Sequence, residues 1–189
     1  MSKKTDLRII KTETKLREAL AEMMKDTSFD DITVFQLCEK AEVRRATFYK
    51  HFNDKYDFLN SIVKTRLSEI ATKIEPICNL ESPVDYFTLY INGVIEYFDD
   101  RPLILSNILQ SSAFHVIFDI IVDCTHSSVV NNLMRAKDCG SMRDVDTDVT
   151  ASFINGGTAM LLLSWFKNRT ITKEELLLRI KELLKNFFE

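Results

Sequence analysis

Between Arg44 and Lys55 the chain sets Arg44, Arg45, Lys50 and Lys55 among Thr47, Tyr49 and His51, with Asp54 as the single acid. Those side chains suit phosphates and base edges. An arginine fork matches the acceptor pair on a guanine edge, while lysine, threonine and tyrosine donors hold phosphate oxygens and fix the register of a helix in the major groove. A short basic amphipathic helix can also be no more than a solvated face, so the elements around it decide the reading.

Just upstream, Thr33 and Gln36 form a capping box, in which each side chain satisfies a free backbone amide of the other, and this predicts a helix from Val34. Val34, Leu37, Cys38 and Ala41 follow the spacing of a one-sided helix, with Gln36, Glu39 and Lys40 on the wet side. A turn follows through Ala41 to Val43. Its Glu42 stands where helix-turn-helix units often carry glycine, so the backbone there has either a negative φ or a strained left-handed one. A second short helix over 44–51 turns Arg44, Arg45, Thr47, Lys50 and His51 outward, and packs Ala46, Phe48 and Phe52 inward. Asn53 is the expected cap of the next helix, and Lys55 at its start is a second place to hold a phosphate.

This stretch resembles the N-terminal DNA-binding region of the TetR family of transcriptional regulators. The matching positions are Thr33, Val34, Leu37, Ala41, Val43, Thr47, Phe48, Tyr49, Phe52, Lys55 and Leu59, and the departures are Glu42, Arg44 and His51. The resemblance covers roughly residues 7 to 60. It implies an all-α protein of about nine helices, with an N-terminal three-helix DNA-binding unit (1–53) and a C-terminal helical effector and dimerisation domain (54–189). Thr33, Arg44, Arg45, Thr47, Tyr49, Lys50, His51 and Lys55 are the expected DNA-binding residues, on a double-stranded operator. Lys3, Lys4 and Arg8 would add backbone contacts.

Charge is distributed accordingly. Residues 1–60 hold 12 Lys and Arg against 11 Asp and Glu, whereas the whole chain of 189 residues has 25 against 28 and a net charge of −3. The positive patch is therefore local, which fits a small phosphate footprint better than a general coating of DNA. With 46% hydrophobic residues, only 4 Gly and 3 Pro, the chain can build a sizeable helical core. No uninterrupted apolar run approaches the roughly 18 residues of a membrane span, and no secretory h-region follows the start, so the expected place is the cytoplasm, with no membrane partner. Cys38, Cys78, Cys124 and Cys139 lack ligand spacing, so neither metal nor cofactor is expected. Without G-x-S-x-G, H-E-x-x-H or a phosphate loop, no catalytic residue is assigned.

From Lys55 a long helix runs unbroken toward Pro76 as a connector (54–75), and Ser82-Pro83 reads as the cap and first residue of another. Helices over 84–99 and 102–137 follow, interrupted at 99–102 and near Ser111-Ser112. Phe87, Tyr90, Phe98, Phe114, His115 and Phe118 either line a pocket for a small apolar or aromatic effector, with Asn92 or His115 orienting it, or pack as ordinary core. After a loop at 138–144, the segment around Phe153, Gly156, Gly157, Leu161 and Trp165 is apolar nearly all round, which demands burial on two sides. A stripe through Ile180, Leu184 and Phe187 follows Thr172-Lys173-Glu174-Glu175, a second capping box. These two helices (145–188) either bury the chain's own core or form a homodimer, and the resemblance implies the homodimer.

The function expected is a sequence-specific transcriptional regulator, a repressor released from a palindromic operator by its effector. The alternative is a co-regulator or activator whose C-terminal domain binds a partner protein.

Overall fold

Nine helices and no strand occupy the described residues of the computed structural model, which are 3–74, 83–138, 140 and 145–188, with side chains from 9–74, 84–138, 140 and 145–186. The expected linker at 75–82, Cys78, Cys139, most of the loop at 138–144, and the side chains of Lys3, Lys4, Arg8 and Phe187 lie outside them. The helices are α1 (Lys3–Met23), α2 (Val34–Lys40), α3 (Arg45–Phe48), α4 (Lys55–Ile74), α5 (Pro83–Asp99), α6 (Pro102–Gln110), α7 (Ala113–Asp138), α8 (Thr147–Asn168) and α9 (Lys173–Phe188).

Two compact units divide the chain, residues 1–62 with 101–117 and residues 63–100 with 118–189. A boundary at 53/54 was expected from the sequence. Packing instead divides α4 and α7 between the units and adds α6 to the N-terminal one.

In the N-terminal unit, Leu16, Leu20, Phe29, Leu37, Phe48 and Phe58 are buried almost completely. Phe48, Phe52 and Phe58 meet edge-on or tilted, with centroids 4.8–5.9 Å apart, so the end of the second short helix is pinned to the start of α4 by rings. Asn107 on α6 joins this core by polar bonds: its Oδ1 accepts from the Phe29 amide at 2.9 Å, and its Nδ2 donates to the carbonyls of Met24 (2.9 Å) and Thr27 (2.6 Å). The backbone amide and hydroxyl of Ser112 both donate to the Asp30 carboxylate. Those bonds hold the Asp30 carboxyl below the usual carboxylate range.

The C-terminal unit is built around α5 and α9. Ile91, Ile95, Leu133, Ala151, Ile154 and Trp165 belong to its core, with Leu176, Ile180 and Leu184 from α9. A buried polar contact joins α7 to α8, where Thr125 donates to Asn155 Oδ1 at 2.5 Å and Asn155 Nδ2 donates to the Val122 carbonyl at 2.7 Å. Trp165 Nε1 donates to the Ile171 carbonyl at 2.8 Å and closes the turn into α9. Arg169 caps α8 in the left-handed region at φ 46°, stacks 3.8 Å from the Trp165 ring and pairs with Asp99 at 2.8 Å. The expected capping box at α9 forms by half. Thr172 Oγ1 accepts from the Glu175 amide, while the Glu175 carboxylate pairs with Arg179.

Two helices bear on the expectation that the chain has no membrane partner. Helices α7 and α8 are each long and apolar enough to cross a membrane by length and composition. Neither is an uninterrupted apolar run, since Asp119 and Asp123 fall within α7 and the uncharged polar residues Thr150, Ser152 and Asn155 within α8. Burial gives part of the explanation, since Val129, Leu133, Ala151 and Trp165 serve the core of the C-terminal unit.

Candidate nucleic-acid interface

The capping box at α2 is present. Thr33 Oγ1 accepts from the Gln36 amide at 3.2 Å, and Gln36 Oε1 accepts from the Thr33 amide at 2.9 Å. The Thr33 hydroxyl also donates to Gln36 Oε1 at 2.7 Å, so its single proton is engaged within the cap. Glu42 takes the strained alternative, with φ 54°. It is exposed and pairs only loosely with Lys15, at 3.4 Å.

The second short helix is shorter than the expected 44–51. Its regular part is Arg45–Phe48, and the backbone then tightens, with the Lys50 amide bonding to the Thr47 carbonyl and the His51 amide to that of Phe48. Phe48 and Phe52 point into the core as expected. Ala46 does not, and is exposed, because a four-residue helix has room for one buried anchor and Phe48 fills that place. Arg44, Arg45, Tyr49, Lys50 and His51 are all exposed, and Thr47 is half-buried. Together they make one short surface with three fixed cations, a phenol and an imidazole.

The cap of α4 is Asp54 rather than Asn53. Asp54 Oδ1 accepts from the amides of Tyr56 and Asp57, both at 2.8 Å, while the Asn53 amide donates back to Asp57. A carboxylate answers the positive end of the helix better than an amide does. Lys55 also departs from its expected role. Its Nζ donates to the carbonyls of Phe29, Asp30 and Ile32 at 2.8, 2.8 and 2.9 Å, and lies 4.9 Å from the Phe29 ring centroid. An ammonium group has three protons, so none is left for a phosphate. Lys55 braces the segment between α1 and α2.

Phe35 joins this surface although its sequence context did not single it out. It lies off the apolar stripe of α2, is 55% exposed, and has the Arg45 guanidinium 5.5 Å from its ring centroid. A large aromatic residue beside the stripe, instead of on it, was the available signal.

The six candidates for an effector site are divided between the units, with Phe114 and His115 in the N-terminal one and Phe87, Tyr90, Phe98 and Phe118 in the other. His115 is exposed and Phe87 is buried against Tyr86. Tyr90 stacks on Tyr86, its hydroxyl pushed up by burial, and Phe98 packs edge-on against Phe166 at 5.6 Å. Asn92 donates to Glu96 along its own helix.

The candidates for a subunit interface also divide by face. Trp165, Ile180 and Leu184 are buried in the C-terminal unit's own core. Phe153 is 64% and Leu161 43% exposed, and a Cβ added at Gly156 or Gly157 would meet nothing within 4 Å. Val149 and Met160, exposed too, extend the stripe along α8.

Residues 16–62 match the family model of the bacterial regulatory proteins of the tetR family. A 69-residue stretch is 29% identical to YxbF of Bacillus subtilis, described as an uncharacterized HTH-type transcriptional regulator; it is 36% of this chain and 18% of that protein's length. Among solved structures, the fatty acid degradation regulator FadR from Bacillus halodurans has a TM-score of 0.70 at 16% identity, covering 93% of this chain and 99% of that one. The regulatory protein TetR from Rhodobacter sphaeroides has a TM-score of 0.61 at 16% identity, covering 93% and 98%. The dihydroxyacetone kinase operon activator DhaS has 0.66 at 15%, covering 94% and 98%. At these identities the solved structures show the fold alone, and over residues 16–62 the chain matches the N-terminal region of the bacterial regulatory proteins of the tetR family.

Proposed function

We propose that the protein is a homodimeric repressor, binding a palindromic operator through Arg44, Arg45, Thr47, Tyr49, Lys50 and His51 and leaving it when the C-terminal unit takes up a small apolar or aromatic effector. The observation that carries this reading is the exposed cationic surface around α3, held on a buried tripod of Phe48, Phe52 and Phe58. Rigid anchoring of a short reader limits the ordering cost of docking. One such helix makes few base contacts, and a two-fold dimer doubles them by setting two readers on half-sites about one helical turn apart. The exposed stripe of Val149, Phe153, Met160 and Leu161, with Gly156 and Gly157 open beside it, supports α8 as the dimer face. Release requires that the effector bind the DNA-incompetent arrangement more tightly, by as much as affinity falls. Such a protein works in the cytoplasm.

Activation of transcription through a partner protein is the second reading, supported by the fold shared with an operon activator, DhaS. The direct test compares two variants on a selected operator and on random DNA. Arg45→Ala should cost about 1–3 kcal/mol on the operator and little on random DNA, as a base-edge contact does. Tyr49→Phe should weaken both equally, as loss of a phosphate bond does. Equal losses for Arg45→Ala on both would remove it from the base-reading set.

A further inference from the structure

Phe35 adds little to the buried core where it stands. It sits in the first turn of α2, off the stripe formed by Leu37, Cys38 and Ala41, and more than half of it meets solvent. Single exposed apolar residues are ordinary on protein surfaces. What distinguishes this one is its neighbour, since Arg45 at the start of α3 has its guanidinium 5.5 Å from the ring centroid. Arg45 makes no ion pair among the described residues, so the ring is the partner that limits where its fork points. An aromatic face does this without competing for the fork's hydrogen-bond donors.

We infer that Phe35 is a specificity-determining residue of the DNA interface, contacting the C5-methyl of a thymine beside the base that Arg45 reads. The inference rests on the DNA-reading role proposed for Arg45. In the major groove the distinctive apolar group is the thymine methyl, and phenylalanine is among the side chains that contact it. Separation fixes the neighbourhood: 5.5 Å between guanidinium and ring spans one or two steps of DNA rising about 3.4 Å per base. Each half-site thus carries a thymine within two positions of the guanine taken by Arg45.

The test replaces each operator thymine in turn with deoxyuridine, which deletes the methyl and keeps the pairing edge. Wild-type protein and Phe35→Ala are titrated on every substituted operator. For wild type, one thymine per half-site should cost about fourfold in affinity when its methyl is removed, the scale of one buried methyl group. With Phe35→Ala that penalty should vanish, while its thermal unfolding midpoint stays at the wild-type value. A penalty of the same size in both proteins, or no sensitive thymine in wild type, would overturn the assignment. Failure of wild type to select any operator would instead overturn the regulator reading, and this inference with it.

Discussion

Asn107 Oδ1 accepts a hydrogen bond from the backbone amide of Phe29 at 2.9 Å, across 78 positions of sequence. Two more bonds from the same side chain reach the Met24 and Thr27 carbonyls, so one amide satisfies three backbone groups in the turn that leads into α2. Asn107→Ala would leave all three without that partner and should cost about 2–4 kcal/mol in denaturant unfolding. Asn107→Asp should cost more, since it sets a carboxylate against two carbonyl oxygens. A loss below about 0.5 kcal/mol, the scale of ordinary surface substitutions, would contradict this role.

Lys50 and Lys55 are five residues apart and do different work. Lys50 is exposed on the cationic surface around α3, whereas Lys55 gives its protons to three carbonyls. Lys50→Ala should lower the slope of log affinity against log salt by about 1 with stability unchanged. Lys55→Met should leave that slope near the wild-type value and lower the unfolding midpoint. Measuring both slopes and both midpoints separates the roles.

Glu42 holds a left-handed φ of 54° in the turn between α2 and α3. Glycine adopts that conformation without the Cβ penalty, at some entropic cost in the unfolded chain. The exposed pair with Lys15 contributes little at 3.4 Å. Glu42→Gly should therefore stabilise the protein by about 0.5–1 kcal/mol. Calorimetry that found it destabilised would show that strain is relieved in some other way.

The exposed stripe on α8 and the buried stripe on α9 make opposite predictions. Phe153→Glu with Leu161→Glu should yield a folded monomer by sedimentation, with helical content kept. Ile180→Ala, at a residue only 2% exposed, should instead lower stability by about 2–4 kcal/mol through cavity formation. A dimer that survives both glutamates would place the interface elsewhere.

Local chemistry was the legible part of the sequence. Thr33 and Gln36 are three residues apart, and their reciprocal cap follows from that spacing alone. The break between α6 and α7 at Ser111-Ser112 and the burial of Phe48 and Phe52 were legible for the same reason. Distant partners were not. The carbonyls that occupy Lys55 lie 23 to 26 positions upstream, and no periodicity announces them. Asp54 displaced Asn53 as a cap because two adjacent residues of suitable chemistry compete, and geometry decides. On α8, apolar residues all round meant that spacing could not tell Trp165, which faces the core, from Phe153, which faces solvent.

A two-fold reader requires a two-fold site. Selection of bound fragments from random-sequence duplex DNA, followed by measurement of protomers per duplex on the winning sequence, tests it most directly. The expected result is a palindrome occupied by an even number of protomers, with preference lost in Arg45→Ala. Salt-sensitive binding without sequence preference, or a single protomer on an asymmetric site, would contradict it.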